Sequence, residues 1–213
     1  MQELIYHRLF MPAHEANASR EGYVDGAVRH TFGEHAERVF RLSSALKNLG
    51  ISRSDRFAVM ALNSHQYEEL WHASFLGAGI INPLNLRLAP KELAYILRDS
   101  GSEVAFVDAV FAPLLAAARE ADPNCPVRTV VLIGEGDVPH DLSYEDILAS
   151  GEPNTPSEPH ETDPSVLMYT GGTTGLPKGV LLTNRAEILN LYHVLMVLQL
   201  NRNDVGLCQT PMF

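Results

Sequence analysis

The sequence predicts an α/β fold in which helices cover both faces of a mostly parallel sheet. Short, nearly continuous apolar segments indicate buried strands, and they span residues 56–62, 103–107 and 127–133. Between them lie longer segments whose apolar positions recur at helical spacing. Strands that are apolar on both faces and alternate with helices are typical of parallel sheets. A doubly wound sheet is therefore predicted in preference to a barrel.

Turn and capping residues place the remaining elements. The dipeptide Asp25-Gly26 predicts the tight turn of a small hairpin, because such turns need positive φ angles. Thr31 and Glu34 have the spacing of a capping box that begins a helix, and Gly50 is expected to end that helix. Further helices are predicted over residues 66–76, 90–101 and 109–120.

Three units are predicted along the chain. An N-terminal α/β subdomain is expected to occupy residues 1–150. Residues 151–164 are rich in Pro, Ser, Thr and acidic residues, and are expected to form an exposed linker. Residues 165–213 are expected to form a hairpin with a glycine-rich loop, a buried core helix over residues 188–200 and a following strand.

Charge and cysteine content exclude several classes of function. The chain has 16 Lys and Arg residues against 26 Asp and Glu residues, a formal net charge of −10, which argues against a general nucleic-acid binder. Cys125 and Cys208 are too few for a disulfide framework. Neither has a second Cys or a His at metal-ligand spacing, so no metal site is predicted.

The chain also lacks the sequence features of a secreted or membrane-spanning protein. Its first residues do not form a secretory signal, because an acidic residue interrupts them and no continuous apolar stretch follows. The longest apolar segment, residues 188–200, is interrupted by Asn190, His193 and Gln199 and is too short to span a bilayer. We expect a cytoplasmic protein without a membrane span, and a homo-oligomer is compatible with the sequence.

The segment with the clearest chemistry is residues 170–179, which read TGGTTGLPKG between two predicted strands. Its glycines allow consecutive backbone N–H groups to point into one concavity and bind an anion. Threonine hydroxyls add neutral donors, and Lys178 adds a compact positive charge that suits phosphate oxygens. We therefore predict a polyphosphate site. Its predicted binding residues are Thr170, Gly171, Gly172, Thr173, Thr174, Gly175 and Lys178.

Other interpretations of this segment fit less well. A Walker P-loop needs Gly before its lysine and Ser or Thr after it, whereas Pro177 and Gly179 occupy those positions. A Walker loop also begins a helix, and here an apolar, β-branched segment follows. The fingerprint of dinucleotide-binding folds is absent, as are the G-x-S-x-G and H-E-x-x-H motifs of hydrolases. A surface turn that binds nothing is the remaining structural alternative.

The same residues carry a resemblance to a known family. The string YTGGTTGLPKGVLLTNRA, residues 169–186, resembles the phosphate loop of the adenylate-forming superfamily, which includes acyl-CoA synthetases, luciferases and the adenylation domains of peptide synthetases. Residues 81–85 (INPLN), residues 93–97 (LAYIL) and residues 209–213 (QTPMF) resemble further family motifs in the same order. The variant is most similar to acyl-CoA ligases that act on fatty or aryl acids.

The resemblance implies a two-step ligase reaction. A carboxylate would attack the α-phosphorus of ATP to give an acyl-adenylate and pyrophosphate, and the thiol of coenzyme A would then displace AMP. In this scheme Lys178 is the catalytic residue and the other loop residues hold the β- and γ-phosphates. The resemblance also implies Mg²⁺, whose acidic ligand belongs to a family motif that this chain does not contain.

The resemblance covers nearly the whole chain, but the later family motifs are absent. The chain is therefore expected to be an N-terminal fragment that is inactive alone. Two alternatives stay open: a non-catalytic nucleotide-binding or interaction module, and an adenylation domain that loads a carrier protein instead of coenzyme A. The acyl substrate is not specified by these residues.

Overall fold

The computed structural model describes residues 3–171 and 175–213, and within them the predicted α/β fold is confirmed. Two strands form a separate antiparallel hairpin, β1 (Glu21–Asp25) and β2 (Val28–Thr31). The main sheet contains β3 (Arg56–Met60), β4 (Ile80–Pro83), β5 (Val104–Asp108), β6 (Thr129–Ile133), β7 (Leu142–Ser143), β8 (Pro164–Thr170) and β9 (Lys178–Thr183). Their order is β7-β6-β5-β3-β4-β8-β9, and every neighbouring pair is parallel except β8 and β9.

Helices connect these strands and lie on both faces of the sheet. They are α1 (His7–Ala16), α2 (Phe32–Asn48), α3 (His65–Phe75), α4 (Pro90–Ser100), α5 (Ala112–Ala121), α6 (Tyr144–Ser150) and α7 (Asn184–Leu198). The capping box predicted for α2 is confirmed, since the Thr31 side chain accepts from the Glu34 N–H and the Glu34 carboxylate accepts from the Thr31 N–H at 2.8 Å. Gly101 ends α4 with φ +65°, a conformation that glycine adopts without strain.

Alternate residues of each central strand face opposite cores. In β3, Phe57 and Val59 pack with α2, α3 and α6, whereas Ala58 and Met60 pack with α4 and α5. All four side chains are almost completely buried. Burial on both faces explains the continuous apolar segments, because neither face of these strands contacts water. Each large buried side chain contributes about 1.5–3 kcal/mol relative to an exposed one.

A buried ion pair joins three helices on the first of these faces. Arg38 in α2 donates to the Glu69 carboxylate in α3, with Nε 2.6 Å from Oε1. Tyr144 at the start of α6 donates its hydroxyl hydrogen to Glu69 Oε2 at 2.7 Å. Glu69 has no exposed surface, and Arg38 reaches further to Glu145 near the surface. Both oxygens of the Glu69 carboxylate therefore accept hydrogen bonds that link α3 to α2 and α6.

The predicted linker joins two parts of one sheet. Pro164 already begins β8, and β8 lies beside β4, so the sheet continues past residue 163. The segment before it follows the protein surface and is held at its start and in its middle. Gly151 packs so closely against Arg41 that a Cβ atom would overlap the Arg41 carbonyl oxygen, and the Arg53 guanidinium donates to Ser157. The division into three units stays a prediction.

Two predictions for the C-terminal residues were wrong. The helix is present as α7, but only Asn184 and Ile188 are buried in it, and Val197 is 78% exposed. The apolar side chains of α7 point to all sides of the helix, and the side that includes the buried Ile188 lines a cavity together with Tyr6 and Phe75. Residues 199–213, all of which the structure describes, contain no strand.

The last residues are held by side chains instead of a strand ladder. The Asn63 amide donates to the Thr210 carbonyl oxygen at 2.7 Å and accepts from the Met212 N–H at 3.0 Å. The Trp71 indole donates to the Met212 carbonyl oxygen at 3.3 Å. These bonds occupy backbone groups that a strand would need for pairing. Within the described residues, no helix is long and apolar enough to cross a membrane.

Candidate nucleotide phosphate site

The predicted phosphate loop lies at the carboxyl edge of the sheet. β8 ends at Thr170 and β9 begins at Lys178, so the loop connects the two strands at this edge. β8 is parallel to β4, and β4 continues in parallel register to β3, β5 and β6. The carboxyl ends of these five strands therefore meet at one edge, which is where open α/β sheets bind their ligands.

Thr170 and Lys178 flank the loop as a register pair. Both are exposed, and the Thr170 hydroxyl lies 3.4 Å from the Lys178 carbonyl oxygen, to which it donates. Lys178 forms no ion pair with any residue in the described part of the chain. Its ammonium group is therefore available to a ligand.

The loop glycines that the structure describes leave their backbone accessible. At Gly171 and Gly175 nothing lies within 4 Å of the position that a Cβ atom would occupy. A polyphosphate can approach these backbone N–H groups closely, which a side chain would prevent. The predicted residues Gly172, Thr173 and Thr174 lie outside the described residues, and their role stays a prediction.

Two other segments of the family resemblance lie at the same edge, whereas residues 93–97 lie within α4. Residues 81–85 run from within β4 past its carboxyl end, beside β8. Residues 209–213 are bonded to Asn63, which follows the carboxyl end of β3. Three sequence motifs that are far apart in the chain thus meet around one edge of the sheet. This convergence is what a ligand site built from several loops requires.

Sequence reasoning missed a second cation at this edge. Arg87 is exposed in the loop after β4, and its N–H donates to the Asn85 side chain at 2.9 Å. Its guanidinium forms no ion pair among the residues that the structure describes. Arg87 lies at this edge because it follows β4, and β4 is the neighbour of β8 in the sheet. This strand order cannot be read from the sequence, so the residue was missed.

A large cavity lies at the opposite edge and shares no residue with the predicted site. It has a volume of about 670 Å³ between the end of α2 and residues 152–157. Several of its polar groups are already satisfied, because Ser44 donates to the Glu152 carbonyl oxygen and Arg53 donates to Ser157. The size of this cavity does not make it the functional site, since the residues predicted to bind phosphate lie at the other edge of the sheet.

Histidines gather far from the loop, where α1, β1, α2 and α3 meet. His35 Nε2 lies 2.7 Å from His72 Nδ1, and His14 Nε2 lies 3.1 Å from the Tyr23 hydroxyl. The ring of Tyr23 also stacks on His35, with centroids 3.7 Å apart. Within the described ranges, no three His, Cys, Asp or Glu residues are placed to hold a metal ion. This cluster packs the N-terminal helix against the domain.

Because of the histidine cluster, we expect the free energy of unfolding to decrease as the pH falls below 6.5. Burial lowers the pKa of His14 and His35 from the usual 6.5, and lowers that of His72 to about 3. As the pH falls below 6.5, the unfolded chain takes up protons that the folded chain does not. Each histidine then reduces the free energy of unfolding by up to about 1.4 kcal/mol per pH unit.

Two carboxyl groups oppose this trend. Burial raises the pKa of Glu68 to about 7 and also raises that of Glu187, so the folded state takes up these protons at a higher pH than the unfolded chain. We expect the three histidines to outweigh them. Urea unfolding at pH 7.5 and 5.5 measures the average slope, which His72→Gln should reduce by about half a proton, while His140→Gln at an exposed site should not. Equal slopes in all three proteins would refute this account of the cluster.

Comparison with known proteins adds independent findings. A family model described as AMP-binding enzyme matches residues 12–213. A peroxisomal butyrate–CoA ligase from Arabidopsis thaliana is 32% identical over 216 residues, which cover 94% of this chain and 38% of that protein. The chain thus spans well under half the length of this relative.

Solved structures agree with the fold. An anthranilate CoA ligase, crystallised with anthranoyl-AMP, superimposes with a TM-score of 0.77 at 25% identity and covers 86% of this chain and 35% of its own. A long-chain-fatty-acid–CoA ligase from Archaeoglobus fulgidus has a TM-score of 0.78 at 23% identity, covering 92% of this chain and 40% of its own. The latter likeness shows the fold alone.

Proposed function

Because the chain belongs to the family of AMP-binding enzymes, we propose that the protein containing it is an acid–thiol ligase that uses ATP. It activates a carboxylic acid as an acyl-adenylate and transfers the acyl group to coenzyme A. The observation that carries this proposal is the glycine-rich connection between β8 and β9, with Lys178 at its end and the carboxyl edge of the sheet around it.

The first half-reaction explains why such a loop is needed. A carboxylate oxygen forms a bond to the α-phosphorus of ATP, and the bond from that phosphorus to the bridging oxygen of pyrophosphate breaks. Negative charge accumulates on the departing pyrophosphate, and the carboxylate is itself repelled by the phosphates. Donors that are already oriented toward this charge lower the barrier, because they need no rearrangement during the reaction.

The groups around the loop fit a polyphosphate. Lys178 supplies the positive charge for the β- and γ-phosphates, and the Thr170 hydroxyl lies next to it in register. The open backbone at Gly171 and Gly175 supports direct N–H contacts to phosphate oxygens. The remaining predicted donors are Gly172, Thr173 and Thr174. Mg²⁺ neutralises part of the phosphate charge in such reactions, and we assign no residue of this chain as its ligand.

The names of the relatives support coenzyme A as the acceptor of the acyl group. The butyrate–CoA ligase and the anthranilate CoA ligase reported above are CoA ligases by name, and the second was crystallised with an acyl-AMP, the intermediate proposed here. In the second half-reaction the thiol sulfur attacks the acyl carbon and AMP leaves with the electron pair of the broken C–O bond. The substrates named for these two relatives are a short aliphatic acid and an aromatic acid, so we propose a fatty or aryl acid.

Exchange of labelled pyrophosphate into ATP tests this proposal. The intact protein that contains this chain is incubated with ATP, Mg²⁺, labelled pyrophosphate and a panel of aliphatic and aromatic acids. Exchange that depends on one class of acid, and thioester formation when coenzyme A is added, are expected. ATP binding without exchange for any acid would instead indicate a non-catalytic module. Exchange without transfer to coenzyme A would favour a carrier-protein acceptor.

A further inference from the structure

A tyrosine at the base of the phosphate loop packs across the hairpin onto a glycine. Tyr169 in β8 is the register partner of Gly179 in β9. A Cβ atom on Gly179 would lie 3.2 Å from Tyr169 Cζ and 3.0 Å from Leu167 Cδ1. The phenol ring therefore lies in tight contact with the position of a side chain at residue 179. The limited space favours glycine here, and no positive φ angle is involved.

The same tyrosine is tied to a helix outside the hairpin. Its hydroxyl donates to Asp99 Oδ2 at 2.7 Å, and Asp99 lies in the last turn of α4. This distance is typical of a charge-assisted bond between a hydroxyl and a carboxylate. Burial of the ring, followed by the bond to Asp99, raises the pKa of Tyr169, so the phenol remains protonated and remains the donor.

This contact lies directly beneath both ends of the loop, next to Thr170 and next to Lys178. Tyr169 immediately precedes Thr170, and its partner Gly179 immediately follows Lys178. Since Lys178 itself contacts no charged residue in the described chain, the orientation of its backbone depends on the strand pair beneath it. The contacts from Asp99 through the Tyr169 ring to Gly179 connect the loop end of that strand pair to α4.

We propose that Asp99 is a positioning residue that acts on the phosphate loop through Tyr169. This inference rests on the proposed function, because it assumes that residues 170–179 hold the pyrophosphoryl group of ATP. Asp99 is exposed and lies on a helix, so it does not contact the substrate in this scheme. Its effect is to hold the Tyr169 ring over Gly179, which keeps Thr170 and Lys178 in fixed register.

Pyrophosphate exchange in the intact protein tests the proposal. Asp99→Ala and Tyr169→Phe should each lower kcat for exchange about fivefold to tenfold, as expected for one lost charge-assisted bond at a partly exposed site. The KM for the carboxylic acid should stay within twofold. The double variant should be no slower than either single variant, because both substitutions remove the same bond. Asp99→Asn retains an acceptor oxygen and should recover most of the rate.

A neighbouring variant separates positioning from general damage to the helix. Arg98→Ala removes an ion pair between α4 and Asp122, on the same helix but away from the loop. It should leave kcat unchanged. If Asp99→Ala changes only the melting temperature, or if the two losses multiply in the double variant, the positioning role is wrong.

The outcome also distinguishes this inference from the proposed function. If the unmodified protein shows no exchange with any acid, the proposed function fails and this inference fails with it. If the unmodified protein exchanges, Lys178→Ala loses activity and Asp99→Ala keeps full activity, then the proposed function stands. In that case only the role of Asp99 is overturned.

Discussion

Replacing Lys178 with alanine is expected to slow acyl-adenylate formation about tenfold to a hundredfold, which is the effect of losing one charge-assisted contact of about 1.5–3 kcal/mol. In the proposed reaction, the ammonium group faces the charge that develops on the departing pyrophosphate. Its loss should raise the barrier more than it weakens substrate binding. The affinity for the carboxylic acid should therefore stay within about twofold. Pyrophosphate exchange in the intact protein measures both quantities.

Two further variants control this experiment. Lys178→Arg keeps the positive charge but replaces a compact ammonium with a larger planar group, so we expect partial recovery. Lys47→Ala removes an exposed lysine at the opposite edge of the sheet and should have no effect. Exchange at the unmodified rate in Lys178→Ala would remove the catalytic role assigned to this residue.

The largest effect on stability is expected at Glu69. Glu69→Ala removes the carboxylate that accepts from both Arg38 and Tyr144, and leaves the Tyr144 hydroxyl without its partner in the core. Removing one partner of a buried ion pair typically costs 3–5 kcal/mol. Because Arg38 keeps its contact with Glu145, we expect a loss of about 3 kcal/mol in the free energy of unfolding. Urea unfolding of the intact protein measures this loss.

A matched control lies on the surface of α2. Glu37 pairs with Arg41 one helical turn away, and its side chain is 56% exposed. Glu37→Ala makes the same chemical change in a helix, but should cost only about 0.3–0.5 kcal/mol. Similar losses in both variants would show that burial of the Glu69 pair does not matter. The substitution Tyr144→Phe should be markedly less destabilising in the Glu69→Ala background than in the unmodified protein.

Local patterns in the sequence predicted much of this fold. The capping box of Thr31 and Glu34 begins α2 as predicted, because its bonds are formed within four residues. The apolar segment 56–62 contains β3, and its lack of alternation reflects cores on both faces. The residues on either side of the phosphate loop form β8 and β9, as expected. Each of these features depends on neighbours in the sequence.

Features that depend on distant residues were not predictable. The order of the strands places β8 beside β4 and leaves β9 at the edge of the described sheet, and no local pattern encodes that order. For the same reason the exposure of α7 was misjudged, since its apolar composition is the same whether or not something covers it. The bond between Asp99 and Tyr169 joins residues 70 positions apart and is visible only in three dimensions.

The central claim is that residues 170–179 bind the pyrophosphoryl group of a nucleotide. A crystal structure of the intact protein with ATP or a non-hydrolysable analogue tests it most directly. We expect β- and γ-phosphate oxygens to lie within about 3 Å of Lys178 Nζ and of backbone nitrogens of the loop, at the carboxyl edge of the sheet. Phosphates bound at another edge, with Lys178 still facing solvent, would contradict it.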